Sequence, residues 1–168
     1  MTYDAVKASI LLMLNILEKE GKKGSQKILI EDINNTLYLV KYLLKKNIGE
    51  LADKYLDFRV DCASRLGLKS RDISRIFSNL VNNRLIIESE NGFQLTRIGF
   101  KVLGSYIEGS LHEFLKDVEN AISYLLENFS LSEIEELAKK LYYAELEKKE
   151  TEITHITIKI LSGMKNKS

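Results

Sequence analysis

Arg71, Ser74, Arg75, Ser78 and Asn79 recur at three- and four-residue spacing, so a helix through them carries all five on one side. Short hydroxyls, an amide and two guanidiniums are the groups that read base edges in a DNA major groove, where Arg pairs with guanine through two hydrogen bonds. Lys69 and Ser70 stand at the start of this segment, where a helix N-terminus and its dipole can hold a phosphate. Asp72 opposes an anion there. Any solvated helix face carries similar residues, so the surrounding frame must decide between the two readings.

Other chemistry is sparse. One Cys, Cys62, excludes an internal disulfide and a Cys-rich zinc site. It reads as a buried thiol in a short helix, since no clear cationic neighbour supports a reactive one. His112 and His155 are far apart and lack metal-ligand spacing, which leaves them surface or structural. Tyr38, Tyr42, Tyr142 and Tyr143 read as core or interface groups. Glu133, Glu135 and Glu136 read as an exposed helix face and not an acid/base pair. There is no phosphate loop, dinucleotide fingerprint or nucleophile motif, so neither an enzyme nor a cofactor is expected.

Around these residues the hydrophobic period is mostly helical. The chain has 168 residues, 45% hydrophobic and 29% charged, with 9 Gly and no Pro, which favours long helices joined by short turns. Val6, Ile10, Leu11, Met13, Leu14 and Leu17 mark one face of a first helix from Tyr3 to Glu20, stopped by the Gly21–Gly24 stretch. Ser25 caps a second helix carrying Ile28, Ile30, Ile33, Leu37, Leu39, Val40, Leu43 and Leu44. Glu50 to Val60 is open between a helix and, from Tyr55, a short strand. Asp61 then caps a short helix through Leu66, and Gly67 supplies a tight turn with positive φ. Ser70 caps a helix from Arg71 to about Asn82, whose inner stripe is Ile73, Ile76, Phe77 and Leu80. Leu85–Ile87 and Phe93–Thr96 read as the strands of a hairpin turned at Asn91-Gly92.

From Ile98 to Leu126 the helical period runs on for some 30 residues, with Gly104 and Gly109 as places for a kink or a close approach. Ser130 and Glu133 form a capping box for a last clear helix through Leu146. The tail from Thr151 to Leu161 is open between strand, on Ile156, Ile158 and Ile160, and helix, on Ile153, Ile156 and Ile160.

The string from Val60 to Gly99 resembles the winged helix-turn-helix of MarR-type transcription regulators. Cys62–Leu68 stands at the family's scaffold helix and turn, Ser70–Leu80 at the recognition helix, Arg84-Leu85-Ile86 at its "GLI", and Leu95-Thr96-x-x-Gly99 at its "LTxxG". The family's glycine is Arg84 here, so the left-handed turn is expected at Asn83. Glu88 and Glu90 lie near the wing tip, with Arg84 and Arg97 at its base, which speaks against a wing in the minor groove.

The resemblance implies a mainly α fold with a small β-hairpin wing. Its parts are N-terminal helices in 1–57, a winged helix-turn-helix in 58–100 and C-terminal helices in 101–168. It implies sequence-specific binding of double-stranded DNA, with Lys69, Ser70, Arg71, Ser74, Arg75, Ser78, Asn79, Arg84 and Asn91 as contact residues and a small-molecule effector as an option. Excess apolar surface on the flanking helices points to a homodimer. The alternative is a winged helix that binds protein instead of DNA, motivated by the acidic wing, a net charge of +1 and an acidic last third. Residues 8–17 are too short an apolar run to span a membrane and lack a secretory n-region, so a cytoplasmic protein without membrane partners is expected.

Overall fold

The computed structural model describes residues 2–19, 27–90 and 92–162. The Gly21–Gly24 stop, the Ser25 cap and Asn91 lie outside them. The first helix, α1 (Thr2–Lys19), is the centre of the molecule. Ala5, Val6, Ala8, Ser9 and the whole run Ile10–Leu14 are no more than 2% exposed. The apolar face is wider than expected, because only a narrow strip with Asp4, Lys7, Asn15 and Glu18 stays part-exposed. A helix so largely apolar is stable only inside a core, and the unbroken run Ile10-Leu11-Leu12-Met13-Leu14 carries that pattern. Ser9 is tolerated because its hydroxyl donates to the Ala5 carbonyl at 2.8 Å.

The next helix, α2 (Ile30–Ile48), starts later than a Ser25 cap implies, with Ile28 outside it. The Asp32 carboxylate accepts the Leu29 N–H at 2.8 Å and closes that end. A short α3 (Leu51–Tyr55) follows, then irregular chain to Asp61, so the open Glu50–Val60 segment holds a helix and no strand.

The largest departure from expectation comes next. Cys62–Leu66 is not a helix. β1 (Cys62–Ser64) pairs antiparallel with β2 (Gly67–Lys69), Cys62 opposite Lys69. Side chains of α2 hold this hairpin. Asn34 Nδ2 donates to the Leu68 carbonyl at 3.0 Å, and Asn35 Oδ1 accepts the Leu68 N–H at 2.8 Å. Two amides thus engage both backbone groups of one residue, as a neighbouring strand would. Gly67 has φ +133°, and a Cβ there would stand 2.4 Å from the Asn35 amide nitrogen. Only glycine combines that backbone with that approach.

The chain then forms α4 (Arg71–Asn82), and Ile73, Ile76, Phe77 and Leu80 are buried as the period demands. β3 (Ile86–Ser89) and β4 (Gly92–Leu95) form the second hairpin, with Ile86 opposite Leu95 and Ser89 opposite Gly92. Phe93 packs edge-on against Phe77, ring centroids 4.5 Å apart, which fixes the hairpin to α4. The Thr96 hydroxyl caps α5 (Arg97–Glu108) by accepting the Gly99 N–H at 3.0 Å. A Cβ on Gly99 would fall 2.0 Å from the Leu85 carbonyl oxygen, so the hairpin base tolerates only glycine. The long helical period breaks at Gly109 into α5 and α6 (His112–Asn128), while Gly104 sits inside α5 facing open space.

Ser130 and Glu133 form the expected capping box at α7 (Leu131–Leu146). The open tail is helical, α8 (Glu150–Ser162), with Ile160 buried and Ile153 and Ile156 half-buried on its inner side.

Among the described residues the result is mainly helical with two small antiparallel hairpins. α1 touches α3, α4, α5, α6 and β4, while α7 and α6 lie along α2 and α8 closes over α7. Much of the apolar surface of α1, α6 and α7 packs within the one chain, while Ile98 and Phe100 of α5 and Tyr143 and Leu146 of α7 stay exposed. Among the described residues no helix is long and apolar enough to cross a membrane.

Candidate nucleic-acid interface

The inner stripe of α4 anchors the helix and leaves its other side facing out. Its start is closed by the chain's own oxygens. Ser70 Oγ accepts the Ile73 N–H at 3.2 Å, and Asp61 Oδ2 accepts the Arg71 N–H at 2.8 Å. In return Asp72 Oδ2 accepts the Arg59 N–H at 2.9 Å. Residues 59–61 and the first turn of α4 are thus clamped in both directions. This corrects two expectations. Asp61 caps α4 and no helix of its own. The Arg71 and Ile73 N–H groups at the start of α4 are already occupied, and Ser70, 2% exposed, is a buried cap where a phosphate ligand was expected.

The end of α4 is closed by Leu85 N–H to Leu80 O at 2.9 Å and Arg84 N–H to Val81 O at 3.0 Å. This is a Schellman motif, which puts one residue in the left-handed region. That residue is Arg84, at φ +60°, and not Asn83 as expected. Asn83 instead sends its amide back to Asn79, reaching the carbonyl at 2.9 Å and Oδ1 at 2.8 Å.

Lys69, Arg71, Ser74, Arg75, Ser78, Asn79 and Arg84 are all exposed. The structure brings Lys69, Arg71, Ser74 and Arg75 together along a groove of about 520 Å³ between α2, the first hairpin and α4. Glu31 and Asp61 also line it, so its charge is mixed. Arg75 and Asn79 share a second groove, of about 300 Å³, with Lys7 and Asp4 of α1. Sequence reasoning missed Lys7, because nothing local links the first helix to the fourth.

A broader signal was also in the sequence. All six arginines lie between residues 59 and 97, at Arg59, Arg65, Arg71, Arg75, Arg84 and Arg97, whereas 18 of the 19 lysines lie outside that window. Every one of these arginines is exposed. Among the described residues the ion pairs use lysine throughout, as in Lys45–Asp53 at 3.1 Å and Lys140–Glu136 at 2.8 Å, and none uses arginine. Arg59 and Arg65 belong to the chain before α4, Arg71 and Arg75 to α4 itself, and Arg84 and Arg97 to the base of the second hairpin. Guanidinium is the group suited to forked hydrogen bonding with phosphate and guanine. The second hairpin carries exposed Glu88 and Glu90 and an exposed Ile87, a surface that repels phosphate.

Cys62 is exposed and not buried, since the segment meant to bury it is an edge strand. His112 and His155 are exposed, and among the described residues no group of three His, Cys, Asp or Glu is placed to hold a metal ion. Glu135 and Glu136 pair with Lys139 and Lys140 one turn on. No protein-family model matches the chain, and no curated protein or solved structure matches it either. What the chain binds must therefore be argued from its own residues.

Proposed function

We propose that the chain binds duplex DNA through the outward face of α4, as a winged-helix transcription regulator. Arg71, Ser74, Arg75, Ser78 and Asn79 meet the major groove, and Arg59, Arg65, Arg84 and Arg97 meet phosphates on either side. The observation that carries this reading is the confinement of all six arginines to residues 59–97, each exposed and outside any ion pair among the described residues. A surface that served only solubility would have no reason to sort arginine from lysine, and exposed arginines elsewhere commonly take carboxylate partners. The hairpin β1–β2 stands where a helix-turn-helix has its first helix, so α4 is presented by a hairpin braced on α2. Two chains related by a two-fold axis would place their α4 helices about 34 Å apart, one turn of DNA.

The test is binding to a random-sequence duplex followed by fluorescence anisotropy across salt concentrations. Affinity falls steeply with salt, and the double substitution Arg65→Ala, Arg97→Ala flattens the log–log slope by about 0.9 for each phosphate that is no longer neutralised. A folded protein with no affinity at low salt overturns the proposal. That result favours the second reading, a protein-binding module, for which the acidic wing tip and exposed Ile87 are the specific observation.

A further inference from the structure

A separate cleft of about 260 Å³ opens between α2, the segment 58–60 and α7. Tyr38, Lys41 and Lys45 enter it from α2, Phe58 from the connecting segment, and Tyr142 and Glu145 from α7. The spacing of three and four along α2, and of three along α7, is what puts each set on one helix face. We infer that this cleft binds a free α-amino acid with a large apolar side chain, carboxylate towards the lysines of α2 and ammonium towards Glu145.

The groups are held in place before any ligand arrives. Tyr142 meets Tyr38 edge-on, ring centroids 6.3 Å apart. The Tyr38 hydroxyl donates to Glu145 Oε1 and holds that carboxylate at the cleft. Lys41 lies 5.0 Å above the Phe58 ring and donates to the Phe58 carbonyl at 3.3 Å. Lys41 and Lys45 share one carboxylate, Asp53, at 3.7 and 3.1 Å. Burial lowers the Lys41 pKa in spite of the nearby carboxylates of Asp53, Asp57 and Glu145.

Opposite charges thus stand on facing walls, with flat apolar rings between them. A simple carboxylic acid would leave Glu145 unmatched, and a simple amine would meet the lysines. A molecule with both charges on adjacent atoms and an apolar group answers each wall, and the tyrosine faces add attraction for its ammonium. The size suits one such residue and excludes a folded segment. The site uses none of the groups assigned to DNA, so the two readings fail independently.

The experiment is titration calorimetry of the whole chain with L-phenylalanine, L-tyrosine and L-leucine, then with 3-phenylpropionate and phenethylamine. At least one amino acid binds, and each analogue of phenylalanine lacking a charge binds about tenfold more weakly. Glu145→Gln weakens amino-acid binding and leaves 3-phenylpropionate unchanged, while Lys45→Met leaves phenethylamine unchanged. Absence of binding by L-phenylalanine and L-leucine at about 10 mM, and by L-tyrosine up to saturation, overturns the inference. Equal binding of 3-phenylpropionate overturns it too, in favour of a simple anion site. Circular dichroism of each variant separates lost binding from lost fold.

Discussion

Arg84 occupies a backbone position that glycine fills without strain. A left-handed residue with a Cβ costs roughly 1–2 kcal/mol, part of which glycine returns as unfolded-state entropy. Arg84→Gly is therefore expected to stabilise the fold by about 0.5–1 kcal/mol, read as a higher melting temperature. The same substitution removes one of the six exposed guanidiniums and is expected to weaken DNA binding at low salt. A variant that gains stability and loses no affinity would remove Arg84 from the interface. At this scale the sequence was readable wherever chemistry is local. Ser70 and the Ser130–Glu133 box act within one turn of the helix they cap, and the hairpin expected at Asn91-Gly92 forms with Ser89 opposite Gly92. It was unreadable where a partner comes from elsewhere, as when the Asp61 carboxylate passes over its own segment to the Arg71 N–H. The exposure of Cys62 follows from the same event.

At the scale of elements, the first hairpin shows how a remote brace overrides a local pattern. Cys62–Leu66 carries a helix-like order of apolar and polar groups, yet five residues of helix gain little on their own. Two buried asparagines on α2 offer both hydrogen bonds of Leu68 a better arrangement. Their signal was present as Asn34-Asn35 inside an apolar helix, where buried amides require partners. Asn35→Ala leaves the Leu68 N–H unsatisfied and is expected to cost about 1–3 kcal/mol. Hydrogen exchange at Leu68 would then accelerate more than exchange in α6, and equal acceleration would show that the brace is not local. Breaking the brace also frees the segment that clamps α4, so DNA affinity is expected to fall without any change to the arginines. The split of the long helix at Gly109 was legible as a place but not as a break, because glycine permits a turn without requiring one.

For the molecule as a whole, the pattern predicted which residues are apolar but not which side of the balance they fall on. Apolar surface on the flanking helices could have closed a second chain or the chain itself, and periodicity is the same in both cases. Here α1 threads the middle, so the segments 1–57, 58–100 and 101–168 share one core. Leu11 is fully buried in it. Leu11→Ala is expected to cost about 2–5 kcal/mol. Thermal unfolding followed by tyrosine fluorescence and by far-ultraviolet circular dichroism should shift together, because α1 touches elements from α3 to α6. Separate transitions would divide the chain into independently stable parts.

The position of α1 also bears on how the protein is made. The most apolar helix leaves the ribosome before anything that covers it, and the last of its neighbours, α6, ends at Asn128. At about 5–20 residues per second, the interval from Lys19 to Asn128 is roughly 5–20 s. Throughout that time a helix so largely apolar is a target for chaperones and for other nascent chains. Yield in a cell should then depend on translation speed and chaperone supply more than the stability of the finished fold would suggest.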